Sequence, residues 1–512
     1  MYFHAGYYTT AFLVLFSIIG ISCQVKGNSK TSKTDIVYEV FIQSYCDSNG
    51  DGIGDIPGLQ SKLDYIQDLG ATAIWVMPVH PSPSYHKYDV TDYYAIHPDY
   101  GTMTDMDRLI SDVHRRGMKL IMDLVINHTS AEHPWFKASV SSPDNPYRNY
   151  YVWKDFEMVQ DEINKKTTTF DSDNVTQWHK WNEEKDRYYA FFWKGMPDLN
   201  FDTPAVREEV YKIGKFWLDK GIDGFRLDAA RHIYPDDRFD DTRLFWEEFR
   251  TKMEAVKPGV MIIGEVWSDP KSLASLLRGL PSLFNFEMTK FIPECIVTGQ
   301  AHKFISPYSP IADAYQSANV PFDDAILLSN HDINRIRSTL GGEIAKAKLA
   351  ASILLTLPGT PYIYYGEEIG MLGMKPDEHV REPFLWGENS PEETLWLKPN
   401  YSIPPDVMPL DAQKDDPNSI YIHYKKWISI RKNHPELEKS KLDFVDPEFP
   451  HVLAYTVSGP NEKLLALHNL TAKSADIPVP HKAVPVSGDD HQVVDNKIKI
   501  EAYSSVLLRI NE

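Results

Sequence analysis

The chain has 512 residues, 42% hydrophobic, 24% charged and 12% aromatic, with a net charge of −19. That length excludes a single small core and calls for one large domain plus an accessory module. The acidic balance excludes nucleic acid or an anionic membrane surface as partner and suits a soluble protein acting on a neutral substrate.

Residues 11–21 are an apolar run too short to span a bilayer, followed by Ser22-Cys23 and a polar stretch. This pattern predicts a signal peptide over 1–23 and a polar tether over 24–34. It is similar to a bacterial lipoprotein signal, in which Cys23 would carry the lipid. Two departures stand out: no Lys or Arg precedes the run, and Gly20 stands where leucine is more usual. The expectation is an extracytoplasmic protein, secreted or anchored as a lipoprotein. The three cysteines, Cys23, Cys46 and Cys295, make no disulfide framework and lack metal-ligand spacing; Cys46 and Cys295 could pair only if the fold brings them together.

Residues 36–42 (IVYEVFI) read as a buried strand, and Asp47-Ser-Asn49-Gly-Asp51-Gly-Ile53-Gly-Asp55 follows at once. Oxygen-bearing side chains at alternate positions, with glycines allowing a tight turn, can wrap a hard cation. Gly58 stands where an EF-hand needs its closing Glu, so the expectation is a Ca²⁺ loop of another kind.

A strand–helix alternation then begins. Leu59, Leu63, Ile66 and Leu69 mark an apolar helix face closed by Gly70, and 73–79 form a strand. Thr104 with Asp107 reads as an N-terminal cap, Gly117 as the stop, and 118–126 as the next strand, ending in Asn127-His128. The rhythm breaks over an aromatic, Pro/Asn-rich stretch to about Gly195. It resumes with a helix over 206–220, a strand carrying Arg226 and Asp228, a helix over 245–256 and a strand over 260–266. Further strand-like runs cover 283–288, 325–329 and 362–365, with helices over 344–357 and 420–433. About eight apolar strands parted by helices predict a closed parallel barrel. Beyond Leu442, short alternating runs predict a small antiparallel module.

In such barrels the active site lies at the C-terminal ends of the strands. Those ends carry Asp123, Asn127, His128, Arg226, Asp228, Glu265, His331 and Asp332. The set is rich in carboxylates and has neither a nucleophilic Ser or Cys nor a catalytic zinc pattern. Paired carboxylates suit glycosidic bond cleavage, one ionised as nucleophile and one protonated as acid. Arg226, two residues before Asp228 on one strand face, favours the anion there. Glu265, flanked by Gly264 and Val266 with no adjacent cation in sequence, suits the proton-holding role.

The blocks Asp123-Leu-Val-Ile-Asn127-His128, Gly224-Phe-Arg-Leu-Asp-Ala-Ala-Arg-His232, Gly264-Glu-Val-Trp267 and Asn330-His-Asp332 resemble glycoside hydrolase family 13, the α-amylase family. Met196-Pro-Asp-Leu-Asn200 matches a further family segment. The resemblance spans nearly all of 35–433 and has its motifs in family order. It implies an α/β fold with a (β/α)8 TIM-type barrel (35–128 and 200–437), an inserted domain B after the third strand (129–199) and a C-terminal antiparallel β-sandwich (438–512). It implies a retaining double displacement with Asp228 as nucleophile, Glu265 as general acid/base and Asp332 on sugar hydroxyls. His128 and His331 should hydrogen-bond the sugar, Arg226 should orient Asp228, and Tyr88 should stack on the sugar with Asp89 nearby. Arg381 should line the cleft. Lys87 stands where this stretch usually has Gly. By the same resemblance, Ca²⁺ ligands are Asp47, Asn49, Asp51, the Ile53 carbonyl and Asp55, and a second site would use Asn127, Asp198 and the His232 carbonyl.

Met-Pro-Asp-Leu-Asn is intermediate between the oligo-1,6-glucosidase and neopullulanase branches. Ala229 after the nucleophile favours α-1,4 cleavage, whereas Val accompanies α-1,6. The expected substrate is an α-glucan, starch or maltodextrin, cleaved by a monomeric α-amylase. The rivals are a neopullulanase or cyclomaltodextrinase, an α-glucosidase and, from another class, a non-catalytic glucan-binding protein. The last has no need of three carboxylates at strand ends.

Overall fold

The computed structural model describes residues 35–511 apart from 167–171, 173, 183, 440, 446–448, 481–482, 490 and 495–496. The expected export signal, tether and lipid-bearing Cys23 lie outside the described residues. Within them, no helix is long and apolar enough to cross a membrane. Cys46 and Cys295 are both free and buried, so they do not pair.

Eight parallel strands close a barrel: β1 (Val37–Val40), β2 (Ala73–Val76), β3 (Lys119–Leu124), β4 (Gly224–Leu227), β5 (Met261–Gly264), β6 (Ser282–Asn285), β7 (Asp323–Leu327) and β8 (Thr360–Tyr364). Neighbours run β1-β8-β7-β6-β5-β4-β3-β2. Because side chains alternate along a strand, each strand feeds two cores. Val37, Trp75, Ile121, Ile263, Phe284, Leu327 and Tyr362 form one cluster inside the barrel. Their neighbours Tyr38, Val40, Ile74, Met122, Phe225, Leu227 and Ile262 join the large core shared with the helices. Two residues past the apolar inward positions Val37, Ile121 and Ile263 come Glu39, Asp123 and Glu265. The strand period therefore sends an apolar bottom into a polar mouth.

The helices follow from apolar spacing and end signals. Pro204–Lys220 opens with Pro at its first turn, buries Val206, Val210, Ile213 and Trp217, and stops at Gly221 with φ 114°. Each such fully buried side chain contributes about 1.5–3 kcal/mol. The helix Met103–Arg115 is capped by Thr102 and Asp105, in a reciprocal box, rather than by the expected Thr104 and Asp107. The expected helix over 59–69 is two, Ile56–Ser61 and Leu63–Leu69, parted at Lys62. The expected strand over 36–42 ends at Val40, and Ile42–Tyr45 turns helical. Helices Met288–Thr298 and His302–Ser317 were not expected; Pro293, Pro307 and Pro310 inside them read as breakers.

The segment after β3 holds a three-stranded antiparallel sheet, Trp153–Asp155, Asp186–Tyr189 and Trp178–Lys180. The C-terminal module has a five-stranded and a three-stranded sheet. Val452, Leu465, Leu467 and Val506 of one pack against Ile477, Ile498 and Ile500 of the other, giving a sandwich. The opposite face of the larger sheet docks on the barrel, where Tyr455 and Thr356 share a hydroxyl contact of 2.7 Å.

Candidate active site

The C-terminal mouth of the barrel opens on a cavity of about 1130 Å³, large enough for several sugar rings. At its floor the barrel ladder sets Arg226 directly across from Asp123. The Arg226 guanidinium is buried. Its Nη1 donates to both oxygens of Asp123 (2.9 and 3.1 Å) and to Asp228 Oδ1 at 2.6 Å. Its Nη2 meets Glu265 Oε2 at 2.8 Å. One planar fork thus holds three carboxyls, a geometry suited to Arg and not to Lys.

Glu265 does have an adjacent cation in space, contrary to the reading from its sequence neighbours. Burial nevertheless prevails over Arg226, with Asp228 and Asp332 adding to it, and pushes Glu265 up to about 7. The Ala229 amide also donates to Glu265 Oε2 at 3.1 Å. Asp332 sits at the rim with its side chain about one-third exposed. Burial opposes its charge, but His331, Arg381 and Lys375 together hold it well below the usual carboxylate range.

The expected site residues divide into those that face the cavity and those that stand behind it. Tyr88, His128, Asp228, Glu265, Asp332 and Arg381 line it. Arg381 donates to Asp332 (2.7 Å), to the His331 carbonyl (2.9 Å) and to the Tyr85 hydroxyl (3.1 Å). His128 meets Asn127 Oδ1 at 3.0 Å and the Tyr88 carbonyl at 3.2 Å, and burial lowers its pKa. Arg226 and His331 are fully buried just behind the residues that line the cavity. Both ring nitrogens of His331 are engaged, Nδ1 by Glu39 at 2.5 Å and Nε2 by the Tyr88 hydroxyl and Asp332. Asp89 also turns away: it accepts from Ser82 Oγ (2.6 Å) and Ser84 Oγ and braces its own loop. Lys87 has φ 66°, which explains why glycine suits this position.

Other lining residues went unassigned. His86 lies beside Tyr88, and Trp193, 46% exposed, projects from the inserted segment. Trp267 stacks face to face on Phe286 at 3.8 Å. Glu39 was missed, although a lone charge inside the apolar run IVYEVFI was its signal. Lys375 and Asp377 gave none.

In the 47–55 loop, Asp47 accepts from the Asn49, Gly50 and Gly52 amides, Asp51 from Ile53, and Asp55 from Gly58 and Ser48. Only glycine fits at 58, since a Cβ would lie 2.1 Å from the Cys46 carbonyl oxygen. Among the described residues, no three His, Cys, Asp or Glu side chains gather as a metal cluster. No described Lys or Arg is paired with Asp47, Asp51 or Asp55 either, so the loop's negative charge is met only by amides and a hydroxyl. Of the second expected set, the Asn127 amide donates to the His232 carbonyl at 2.5 Å and bonds buried Asp198, whose carboxyl burial pushes well up. Those groups come together but satisfy one another.

The profile described as alpha amylase, catalytic domain, matches residues 39–440, and that of the alpha-amylase SusG C-terminal domain matches 452–507. "Alpha-amylase 3" of Dictyoglomus thermophilum is 43% identical, covering 97% of this chain and 98% of its own. A "4-alpha-glucanotransferase" of Thermotoga neapolitana is 34% identical over 85% of this chain and 96% of its own. The solved structure of an alpha-amylase from H. orenii superposes with a TM-score of 0.87 at 38% identity, over 94% of this chain and all of that one. The closed barrel, the carboxyl-lined mouth and these likenesses make one assignment: the chain belongs to glycoside hydrolase family 13, the α-amylase family, and is a glycoside hydrolase acting on an α-glucan.

Proposed function

We propose that this enzyme is a retaining α-amylase that cleaves α-1,4-glucosidic bonds of starch and maltodextrins. The observation that carries the reading is the Arg226 guanidinium touching both Asp228 and Glu265. Two carboxyls held by one guanidinium are compatible with the about 5–5.5 Å separation of retaining enzymes rather than the wider gap of inverting ones. Asp228, an anion fixed by Arg226, attacks the anomeric carbon as Glu265 passes its proton to the departing glycosidic oxygen. Glu265 then takes a proton from water, whose oxygen attacks the same carbon and frees Asp228. Asp332, kept ionised, faces the positive charge that develops on the ring.

Product profiling tests the substrate. Maltose and longer maltodextrins from starch, with slow or no isomaltose cleavage, support the α-1,4 reading. Rapid isomaltose hydrolysis overturns it. Preferential attack on pullulan or cyclodextrin favours a neopullulanase or cyclomaltodextrinase, and products longer than the donor favour a glucanotransferase.

Residues 1–23 are read as an export signal with Cys23 as lipid acceptor, which metabolic labelling with a radioactive fatty acid tests. Asp47, Asn49, Asp51, the Ile53 carbonyl and Asp55 are read as Ca²⁺ ligands, because three carboxylates within nine residues lack a cationic side-chain partner. Bound there, Ca²⁺ would neutralise the loop and brace it against the turn at Gly58.

A further inference from the structure

Glu39 is 1% exposed on β1, among apolar neighbours on either side in sequence. A carboxylate in such a place requires a partner. The partner is His331, whose Nδ1 lies 2.5 Å from Glu39 Oε1 and whose amide lies 3.4 Å from it. The far nitrogen, Nε2, meets Asp332 Oδ2 at 3.0 Å and the Tyr88 hydroxyl at 2.5 Å. A buried carboxylate, an imidazole and the rim carboxylate thus stand in one line from the barrel interior to the cavity.

We propose that Glu39 is a positioning residue: it holds His331 as an imidazolium, and that cation clamps Asp332 in its ionised, cavity-facing orientation. The groups packed around His331 fit this charge. Trp75 of β2 presents its ring at 75° to the imidazole. Tyr88 stacks on it at 14° and hands its own hydroxyl to Asp123 of β3. Tyr364 of β8 lies near Glu39. Two cations stand close by: Arg381 donates to the His331 carbonyl and to Asp332 rather than to the ring, and Arg226, over the Trp75 and Tyr88 rings, is taken up by Asp123, Asp228 and Glu265. Lys375 stands beyond Asp332. Burial disfavours a charged ring, yet Asp332 and Glu39 overcome it and push His331 up to about 9. The imidazolium therefore persists below that pH and is lost as pH rises through it.

The inference rests on reading Asp332 as a working carboxylate, and D332N tests that reading separately. For Glu39, the variant E39Q keeps the shape and an acceptor for Nδ1 while removing the charge. Its kcat/KM should lie within about threefold of the unmodified enzyme at pH 5.5, where imidazolium survives without help. At pH 8 the gap should widen about tenfold or more, as a ring returned from about 9 to the ordinary imidazole value of about 6.5 keeps only about 3% of its charge there. A loss equal at every pH, or no loss, overturns the proposal and leaves Glu39 a packing residue. The second readout does not need the variant to fold: imidazole ¹⁵N chemical shifts of the unmodified enzyme at pH 7. A doubly protonated His331 supports the clamp; a neutral ring accepting from Tyr88 refutes it.

Discussion

The barrel mouth and the 47–55 loop are both crowded with acids, and they handle the charge in opposite ways. At the centre of the mouth the carboxylates meet side-chain cations: Asp123, Asp228 and Glu265 share Arg226, and Asp332 has Arg381 and His331. In the loop, Asp47, Asp51 and Asp55 meet backbone amides and a serine hydroxyl. Backbone strain divides the same way. Positive φ in the loop falls on Gly50 and Gly52, where it costs little, but in the mouth it falls on Lys87 and Ala229. The mouth fixes charge with charge and tolerates strain to set geometry. The loop stays relaxed and keeps a surplus of negative charge.

Removing charge from the mouth should have the largest effect. D228N and E265Q should each lower kcat by about 10³-fold or more, since nucleophile and proton donor are each needed at the transition state. E265Q should keep maltodextrin binding within a few-fold by calorimetry. Near-normal turnover in either variant would remove the double-displacement reading. A gentler intervention is pH. The acid must carry its proton, and Glu265 is raised to about 7, so kcat/KM should fall as pH rises through that value. A decline that begins only above pH 9 would assign the proton to another group.

In the loop the expected effect is on stability alone. If the surplus charge holds Ca²⁺, a chelator should lower Tm by several degrees at one enzyme concentration, and added Ca²⁺ should restore it by mass action. The double variant D47N/D51N should lose most of the chelator response, with kcat unchanged within about twofold. A chelator that leaves Tm where it was would mean the amides alone neutralise the loop.

Legibility follows the same divide. The mouth could be read because the strand period of two places Arg226 with Asp228, and because each carboxylate closes an apolar run. The depth order could not: nothing in Asn330-His331-Asp332 says that His331 turns inward to Glu39 while Asp332 turns out. Contacts across the barrel decide it. Asp89 misled for a related reason, since Ser82 and Ser84 reach it through a loop whose shape depends on the positive φ of Lys87. The barrel strands were legible from apolar runs, whereas helices Met288–Thr298 and His302–Ser317 were hidden by internal prolines that tertiary packing overrides. In the C-terminal sandwich, strands such as Ala475–Pro478 and Ala483–Gly488 are short and interrupted by Pro, and were invisible without their partners.

Ala229 offers the smallest and most local test. Its φ of 47° and ψ of 37° are left-handed, a conformation costing an L-residue about 1–2 kcal/mol. The same backbone aims its amide at Glu265. If the strain is real, A229G should relieve it and raise Tm by about 1–3 °C, because glycine adopts this conformation freely. The gain would not be free in function. A more mobile amide at 229 should hold Glu265 less firmly, so kcat should fall about two- to fivefold while KM stays nearly constant, the signature of an interaction needed in the transition state. A variant with lower Tm and unchanged kcat would mean that Ala229 packs well where it is, and that strain at the mouth is no part of how Glu265 is held.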